Sequence, residues 1–153
     1  MAPPGAAGPA YSRHSHGDAA MIVGIGVDVL DMARMERELA RDDEAFVEQL
    51  FSPAEIAYCR MKAHPARHFA ARFAVKEAVF KALGTGALDA GAWREVELFR
   101  GANAQGRVVL HGRLKEEAAR RGVRRICVSI SATRDQVVAN VVLESAEVRR
   151  VEV

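Results

Sequence analysis

Apolar residues cover most of the surface of a predicted helix at residues 66–83, the most informative segment of the chain. This pattern predicts a helix that is largely buried. Glu77 and Lys81 lie four residues apart and therefore share one face. That face is flanked by Ala70, Phe73, Ala74 and Phe80. Gly84 predicts the helix end, because glycine readily adopts left-handed backbone angles. Since buried charges need a partner or a ligand, the pair is a candidate functional site.

The rest of the pattern places helices mostly first and strands mostly later. Helices are predicted over residues 32–41 and 114–121, and another begins at Ser52, where Pro53 and Glu55 complete a capping-box signature. The predicted strands are residues 22–28, 93–100, 107–111, 126–131 and 136–144, with a hairpin turn at 101–106. Together these elements predict an α+β fold with an antiparallel sheet.

Composition restricts the class of protein. The chain has 153 residues, half of them apolar, which fits one globular domain. A formal net charge of +2 is too small to indicate bulk nucleic-acid binding, and no apolar run approaches the length of a membrane span. Cys59 and Cys127 form neither a metal-like spacing nor a disulfide framework, so a reduced cytoplasm is the simplest setting.

The two ends of the chain are predicted to lie outside the folded domain, which spans residues 21–145. Residues 1–20 are rich in Ala, Pro and Gly and lack periodicity, so we expect a disordered leader. It lacks the apolar core of a secretory signal; a natural extension, an upstream start and a cloning product all stay open. The charged tail at 146–153 is expected to be frayed.

A second carboxylate, Asp28, ends the short apolar strand predicted at residues 22–28. We expect it where strand gives way to helix, and with Glu77 it would make a two-carboxylate site suited to Mg²⁺. For Asp28, the alternative is an acid that interacts with the helix dipole. For Glu77 and Lys81, it is an ordinary helix-stabilising pair. Gly24 and Gly26 lack the third glycine of a dinucleotide fingerprint, and they serve either close packing or a ligand.

Three parts of the sequence carry a family resemblance. They are Gly24-Ile25-Gly26-Val27-Asp28, Arg34 in the helix that follows, and the stretch from Phe73 to Gly86. In this order and spacing they resemble the small holo-acyl-carrier-protein synthases, a family of 4′-phosphopantetheinyl transferases. The segment 50–59 fits as well, and the resemblance covers roughly residues 21–143.

The resemblance implies a fold, an activity and a set of site residues. The fold would be that of the 4′-phosphopantetheinyl transferases, typically a homotrimer with coenzyme A in clefts between subunits. The activity would be transfer of phosphopantetheine from coenzyme A to a serine of an apo acyl carrier protein, for fatty acid or polyketide synthesis. Asp28 and Glu77 would hold Mg²⁺, and Lys81 would neutralise or protonate the leaving phosphate. Phosphate contacts are implied for the backbone of Gly84, Thr85 and Gly86. The rival from another class is an Mg²⁺-dependent nucleotide hydrolase that uses the same two acids.

Several cations are candidate contacts for the two substrates. Arg34, Arg37 and Arg41 share one side of the first predicted helix, and Arg34 matches the family arginine there. This side would steer and dock an acidic carrier protein, or it is simply a solvated basic face. Arg72 resembles a family arginine associated with coenzyme A phosphate, and its alternative is a surface arginine. Lys76 is expected at the rim of the site.

One position departs from the family pattern. A histidine near the coenzyme A phosphates usually stands where this chain has Ala132, in the run Ser129-Ile130-Ser131-Ala132-Thr133. The loss of one charge-assisted contact costs on the order of 1.5–3 kcal/mol. Ser129, Ser131 and Arg134 are the candidates to compensate for it, and an engineered substitution or a divergent homologue stays open. The alternative is a catalytically weakened homologue that binds coenzyme A or carrier protein without turnover.

Overall fold

The α+β prediction is confirmed by the computed structural model, which describes residues 21–41, 44–86, 89–100 and 106–145. Its strands are β1 (Ile22–Asp31), β2 (Val96–Arg100), β3 (Gly106–Leu110), β4 (Arg125–Ala132) and β5 (Gln136–Glu144). Its helices are α1 (Met32–Ala40), α2 (Glu44–Leu50), α3 (Pro53–Arg60), α4 (Pro65–Leu83) and α5 (Gly112–Arg120), with a 3₁₀ helix at Ala90–Glu95. The predicted leader, the tail and residues 101–105 of the hairpin turn lie outside the described residues.

The strands form two antiparallel sheets. One has the order β1-β5-β4, and β2 and β3 form the other as a hairpin. In the larger sheet, Gly26 is paired with Val141 and Asp28 with Ala139. Because paired residues share a face, and Val141 and Ala139 are fully buried, this is the inner face of the sheet. Helix α4 packs against it and contributes much of the core.

Two glycines let α4 lie very close to β1. A Cβ atom on Gly26 would come 1.8 Å from the carbonyl oxygen of Ala78, and one on Gly24 would come 2.0 Å from that of Ala82. Both contacts are to helix backbone, which cannot move aside as a flexible side chain can. Of the two interpretations given to these glycines, close packing is therefore the one that the structure supports.

Helix α4 begins and ends much as its sequence predicts. Proline occupies the first turn, and the C-cap residue Gly84 has a φ angle of 68°. The Gly84 amide donates to the carbonyl of Lys81, and the Thr85 amide donates to that of Phe80. These bonds satisfy carbonyl groups that the helix end would otherwise leave unpaired. Helix α3 also begins as predicted, with a complete capping box between Ser52 and Glu55.

Three elements show the largest differences from the predictions. Strand β1 continues to Asp31 because its ladder with β5 runs to Gln136. Helix α2 was not predicted, since only two of its seven residues are buried and so short a segment carries little periodicity. Residues 90–95 form a 3₁₀ helix, so the strand predicted from residue 93 begins at Val96.

Candidate active site

Asp28 projects from the inner face of β1 towards α4, and its side chain is only 14% exposed. It lies inside the strand rather than at the junction between strand and helix, so that prediction is wrong. Asp31 is the N-cap residue of α1 instead. The alternative role for Asp28, an acid interacting with the α1 dipole, therefore falls away.

Lys81 joins α4 to β1 at this point. Its ammonium nitrogen donates to Oδ1 of Asp28 and to the backbone carbonyl of Val27, both at 2.9 Å. The Lys81 side chain is 51% exposed, so it lies at the edge of the buried surface and not in the apolar surroundings that the sequence predicted. Because Lys81 is hydrogen-bonded to a residue of β1, it belongs to a site between two elements. It is therefore not simply half of a Glu77–Lys81 pair within one helix.

Glu77 is half-buried on the same side of α4. Burial raises the pKa of its carboxyl group, the nearby Asp28 carboxylate raises it further, and the Lys81 and Arg34 cations oppose both effects. The charges of Asp28, Lys81 and Arg34 therefore all lie close enough to act on Glu77. The structure brings together the three predicted catalytic residues and the first arginine of α1.

The pair of carboxylates fits a hard divalent cation. Two acids that repel each other in a partly buried site are stabilised by a cation between them, and Mg²⁺ prefers oxygen ligands. No cluster of three or more His, Cys, Asp or Glu side chains suited to a metal occurs in the described parts of the chain. Two protein carboxylates are nonetheless usual for Mg²⁺, which keeps waters and takes oxygens from substrate phosphates.

The loop after α4 has fewer free amides than the sequence suggested. The amides of Gly84 and Thr85 cap the helix, and the Thr85 hydroxyl donates to the carbonyl of Gly86. Gly86 has a φ angle of 62° and open space where a side chain would lie. A phosphate contact from this loop therefore depends on Gly86 more than on the two residues before it.

The basic side of α1 is present as predicted. Arg34, Arg37 and Arg41 are exposed, while Met32 and Met35 are buried against the core. Arg41 is paired with Glu38 at 3.2 Å, which neutralises part of its charge. Arg34 is the one of the three whose charge acts on Glu77, where it opposes the rise in pKa.

Arg72 is not a surface arginine, because only 1% of it is exposed. Its guanidinium lies 4.3 Å from the centre of the Tyr58 ring and donates to the carbonyls of His68 and Leu98 at 3.3 and 3.5 Å. It lines a cavity of about 120 Å³ together with Arg100. The Nε atoms of both arginines lack a hydrogen-bond partner in the described part of the chain.

Lys76 is also buried, so its prediction as a rim cation is wrong. Its side chain has no exposed surface, and its ammonium lies 2.8 Å from Oε2 of Glu55. Burial lowers the pKa of Lys76, and Glu55 opposes the effect. The capping box in the sequence identified Glu55 as a helix-capping residue, but not its second role as the ion-pair partner of Lys76.

The late-strand residues fall on different faces of the sheet. Ser129 is exposed and paired with Asn140, on the face away from α4. Ala132 is opposite the buried Val137, and so lies on the inner face with Asp28. Within one chain, the structure therefore does not bring Ser129 together with Asp28.

Comparison with known proteins gives the family. Residues 24–141 match the model of the 4′-phosphopantetheinyl transferase superfamily. The chain belongs to this family, so the resemblance predicted from the sequence is confirmed.

Individual relatives agree with this assignment. A holo-[acyl-carrier-protein] synthase from Koribacter versatilis is 39% identical over 124 residues, which are 81% of this chain and 99% of that protein. The structure of the corresponding synthase from Neisseria meningitidis is 31% identical, with a TM-score of 0.74, over 80% of this chain and 98% of that one. The Helicobacter pylori synthase, whose structure is a complex with coenzyme A, is 29% identical with a TM-score of 0.65, over 78% and 98% of the two chains.

Proposed function

We propose that this chain transfers the 4′-phosphopantetheine group of coenzyme A to a serine of an apo acyl carrier protein, with adenosine 3′,5′-bisphosphate as the second product. The observation that carries the proposal is the arrangement of Asp28, Glu77 and Lys81 between β1 and α4, in a chain of this family. Phosphoryl transfer needs charged groups held in place. A lysine that is hydrogen-bonded to one carboxylate and lies near a second supplies them.

The reaction is a displacement at phosphorus. The serine oxygen forms a bond to the β-phosphorus, and the bond from that phosphorus to the bridging oxygen breaks, so that the bisphosphate leaves. Asp28 and Glu77 would hold Mg²⁺, which neutralises charge on the diphosphate. Lys81 lies beside Asp28 and neutralises or protonates the leaving phosphate. The serine proton would pass to a water that is held by Glu77 or polarised by Mg²⁺, because the two carboxylates would serve as ligands.

The carrier protein docks on the basic side of α1. Arg34, Arg37 and Arg41 present exposed cations there, and the charge of Arg34 also acts on Glu77. An acidic partner that approaches this side would bring its serine to the carboxylates. Electrostatic steering of this kind weakens as ionic strength rises.

We also infer a homotrimer, as the family resemblance implies, and the outer face of the larger sheet supports an interface between copies. Ile25, Val27, Val29 and Val138 are exposed there, and Val29 and Val138 are direct partners. A contiguous exposed apolar surface of this kind indicates an interface. Ser129 lies on the same face, so it would contact coenzyme A at the site of a neighbouring subunit. Sedimentation that gave only monomer would contradict the shared site.

The alternatives have less support. The weakened homologue rests on Ala132 alone, whereas the Asp28, Glu77 and Lys81 set is complete. A nucleotide hydrolase would need no protein acceptor, and release of bisphosphate from coenzyme A without carrier protein would favour it.

No described helix is long and apolar enough to cross a membrane. We place the reaction in the cytoplasm, with either a fatty acid or a polyketide carrier protein.

The experiment that tests the function is intact-mass analysis of an apo acyl carrier protein after incubation with this chain, coenzyme A and Mg²⁺. We expect the mass of one phosphopantetheine to be added, and EDTA to prevent the addition. Coenzyme A binding without any gain of mass, for both a fatty acid and a polyketide carrier protein, would favour the weakened homologue instead.

A further inference from the structure

The buried cation next to Glu77 makes an unusual set of hydrogen bonds. The Lys76 ammonium donates to Oε2 of Glu55 at 2.8 Å, to the carbonyl of Trp93 at 2.9 Å and to the carbonyl of Val96. An ammonium group has three donors, so all of them are used. The acceptors belong to α3, to the 3₁₀ helix and to the start of β2. One side chain therefore ties α4 to three other elements.

The carboxylate partner of Lys76 is itself fixed. Glu55 accepts from the amide of Leu98 through Oε1 and from the amide of Ser52 through Oε2, both at 3.0 Å. Only 2% of Glu55 is exposed. A carboxylate held by two amides cannot follow Lys76 if that side chain moves, so the Glu55 end of the ion pair has a fixed position.

Trp93 connects this network to the candidate metal ligand. Its ring is stacked on Phe73 with centres 5.0 Å apart and planes 20° apart, and meets the edge of Phe80 at 5.0 Å. Phe73 and Phe80 lie about one turn before and after Glu77 on the same side of α4. The 3₁₀ segment is thus held against α4 in two ways. The Trp93 ring contacts Phe73 and Phe80, which lie on either side of Glu77, and the Trp93 carbonyl accepts a hydrogen bond from Lys76.

We propose that Lys76 is a positioning residue, whose bonds to the Trp93 and Val96 carbonyls set the rotation of α4 and so aim the Glu77 carboxylate, while its ion pair with Glu55 stabilises the fold. Adjacent residues turn together, and a rotation of about 10° moves a helical carboxylate by about 1 Å. A displacement of that size costs roughly 10²-fold in a catalytic site. The inference rests on the proposed function, in which Glu77 holds the metal.

Three variants separate positioning from stability, with the Mg²⁺ concentration for half-maximal transfer as the readout. Lys76→Met removes all three bonds and leaves the Glu55 charge unpaired in the interior. Glu55→Gln is the matched control, because it also breaks the buried ion pair but lets Lys76 keep both carbonyl acceptors. The double variant Lys76→Met/Glu55→Gln carries no charge at either position. It therefore recovers stability without restoring the hydrogen bonds to the two carbonyls.

We expect both single variants to lower the melting temperature by roughly 10 °C. Lys76→Met should raise the half-maximal Mg²⁺ concentration about 10-fold or more, and Glu55→Gln should leave it within about twofold. The double variant should regain melting temperature but keep the raised Mg²⁺ requirement. Trp93 is the single tryptophan of the chain, so its emission should shift in the two variants that lack Lys76 and not in Glu55→Gln.

Two results would overturn the inference. One is a Mg²⁺ requirement that recovers together with melting temperature in the double variant; the other is an unchanged requirement in Lys76→Met. If Lys76→Met does not fold, the comparison of the double variant with Glu55→Gln still tests the inference, because these two variants differ only at residue 76. Glu77→Gln is measured in parallel, because an unchanged Mg²⁺ response there would reject the metal assignment itself, whatever Lys76 does.

Discussion

The ammonium of Lys81 lies 2.9 Å from Oδ1 of Asp28, and this contact joins the last full turn of α4 to the middle of β1. The two residues are 53 positions apart in the sequence. They meet because Gly24 and Gly26 let α4 approach β1 far more closely than any side chain would permit. The packing of helix on strand and the assembly of the candidate active site are therefore one feature.

Replacement of Lys81 by methionine should damage activity far more than stability. The side chain is half exposed, so the ion pair itself contributes only about 0–1 kcal/mol. Loss of a group that stabilises developing charge costs about 10²–10³-fold in kcat. Turnover and thermal unfolding of the same preparation would check this. Arg113→Met, which breaks the similarly exposed pair with Asp89, should change neither by much.

Glu77 should make stability depend on pH in a direction opposite to that of most carboxylates. Its pKa is raised in the folded state, so the folded protein holds the proton more tightly than the unfolded chain does. Stability should therefore fall as pH rises from the unfolded pKa through the folded one. Glu77→Gln should raise the melting temperature at neutral pH without Mg²⁺, and the gain should shrink in acid. Mg²⁺ should stabilise the wild type and have little effect on the variant.

The sequence predicted α4 and its glycine cap closely, because apolar periodicity and helix-end residues are local signals. Through the order of its motifs it also predicted that Asp28, Glu77 and Lys81 lie together, as they do in the structure. It misplaced Lys76 and did not show that Arg72 is buried, since periodicity cannot show that a charged side chain has a buried partner far along the chain. For Lys76 that partner is Glu55, 21 residues away. The orientation of Ser129 likewise depends on strand register, which only the ladder with β5 fixes.

Gly26→Ala should disrupt the contact between β1 and α4. The added Cβ atom would lie 1.8 Å from the carbonyl oxygen of Ala78, and neither backbone can yield without moving the element that carries Asp28 or Glu77. Overpacking of this kind costs about 3 kcal/mol or more. Gly122→Ala is the control, because its φ angle of 73° is strained for alanine but its surroundings are open. It should cost only about 1–2 kcal/mol in chemical denaturation.

Reversal of charge at Arg34 and Arg37 should weaken the recognition of carrier protein. Both are exposed on α1, and an acidic partner would lose two attractive contacts and gain two repulsive ones. We expect KM for the carrier protein to rise about 10-fold or more, with a weaker dependence on salt. KM for coenzyme A, measured in the variant with only Arg37 reversed, is the internal reference, because the charge of Arg34 also acts on Glu77. Reversal at Arg124, an exposed residue just before β4, should change neither constant, and an equal effect there would point to net charge rather than docking.

Ala132→His should strengthen the binding of coenzyme A. Position 132 lies on the inner face of the sheet, on the same side as Asp28, where a histidine could reach a ligand without disturbing the ladder to Val137. A restored contact to phosphate contributes about 1.5–3 kcal/mol, so the dissociation constant should fall at least about 10-fold. Titration calorimetry with coenzyme A measures this, with Ala132→Gln as the uncharged control. An unchanged constant would mean that this chain already compensates for the missing histidine; Ser131→Ala and Arg134→Met should then weaken binding in the otherwise natural sequence.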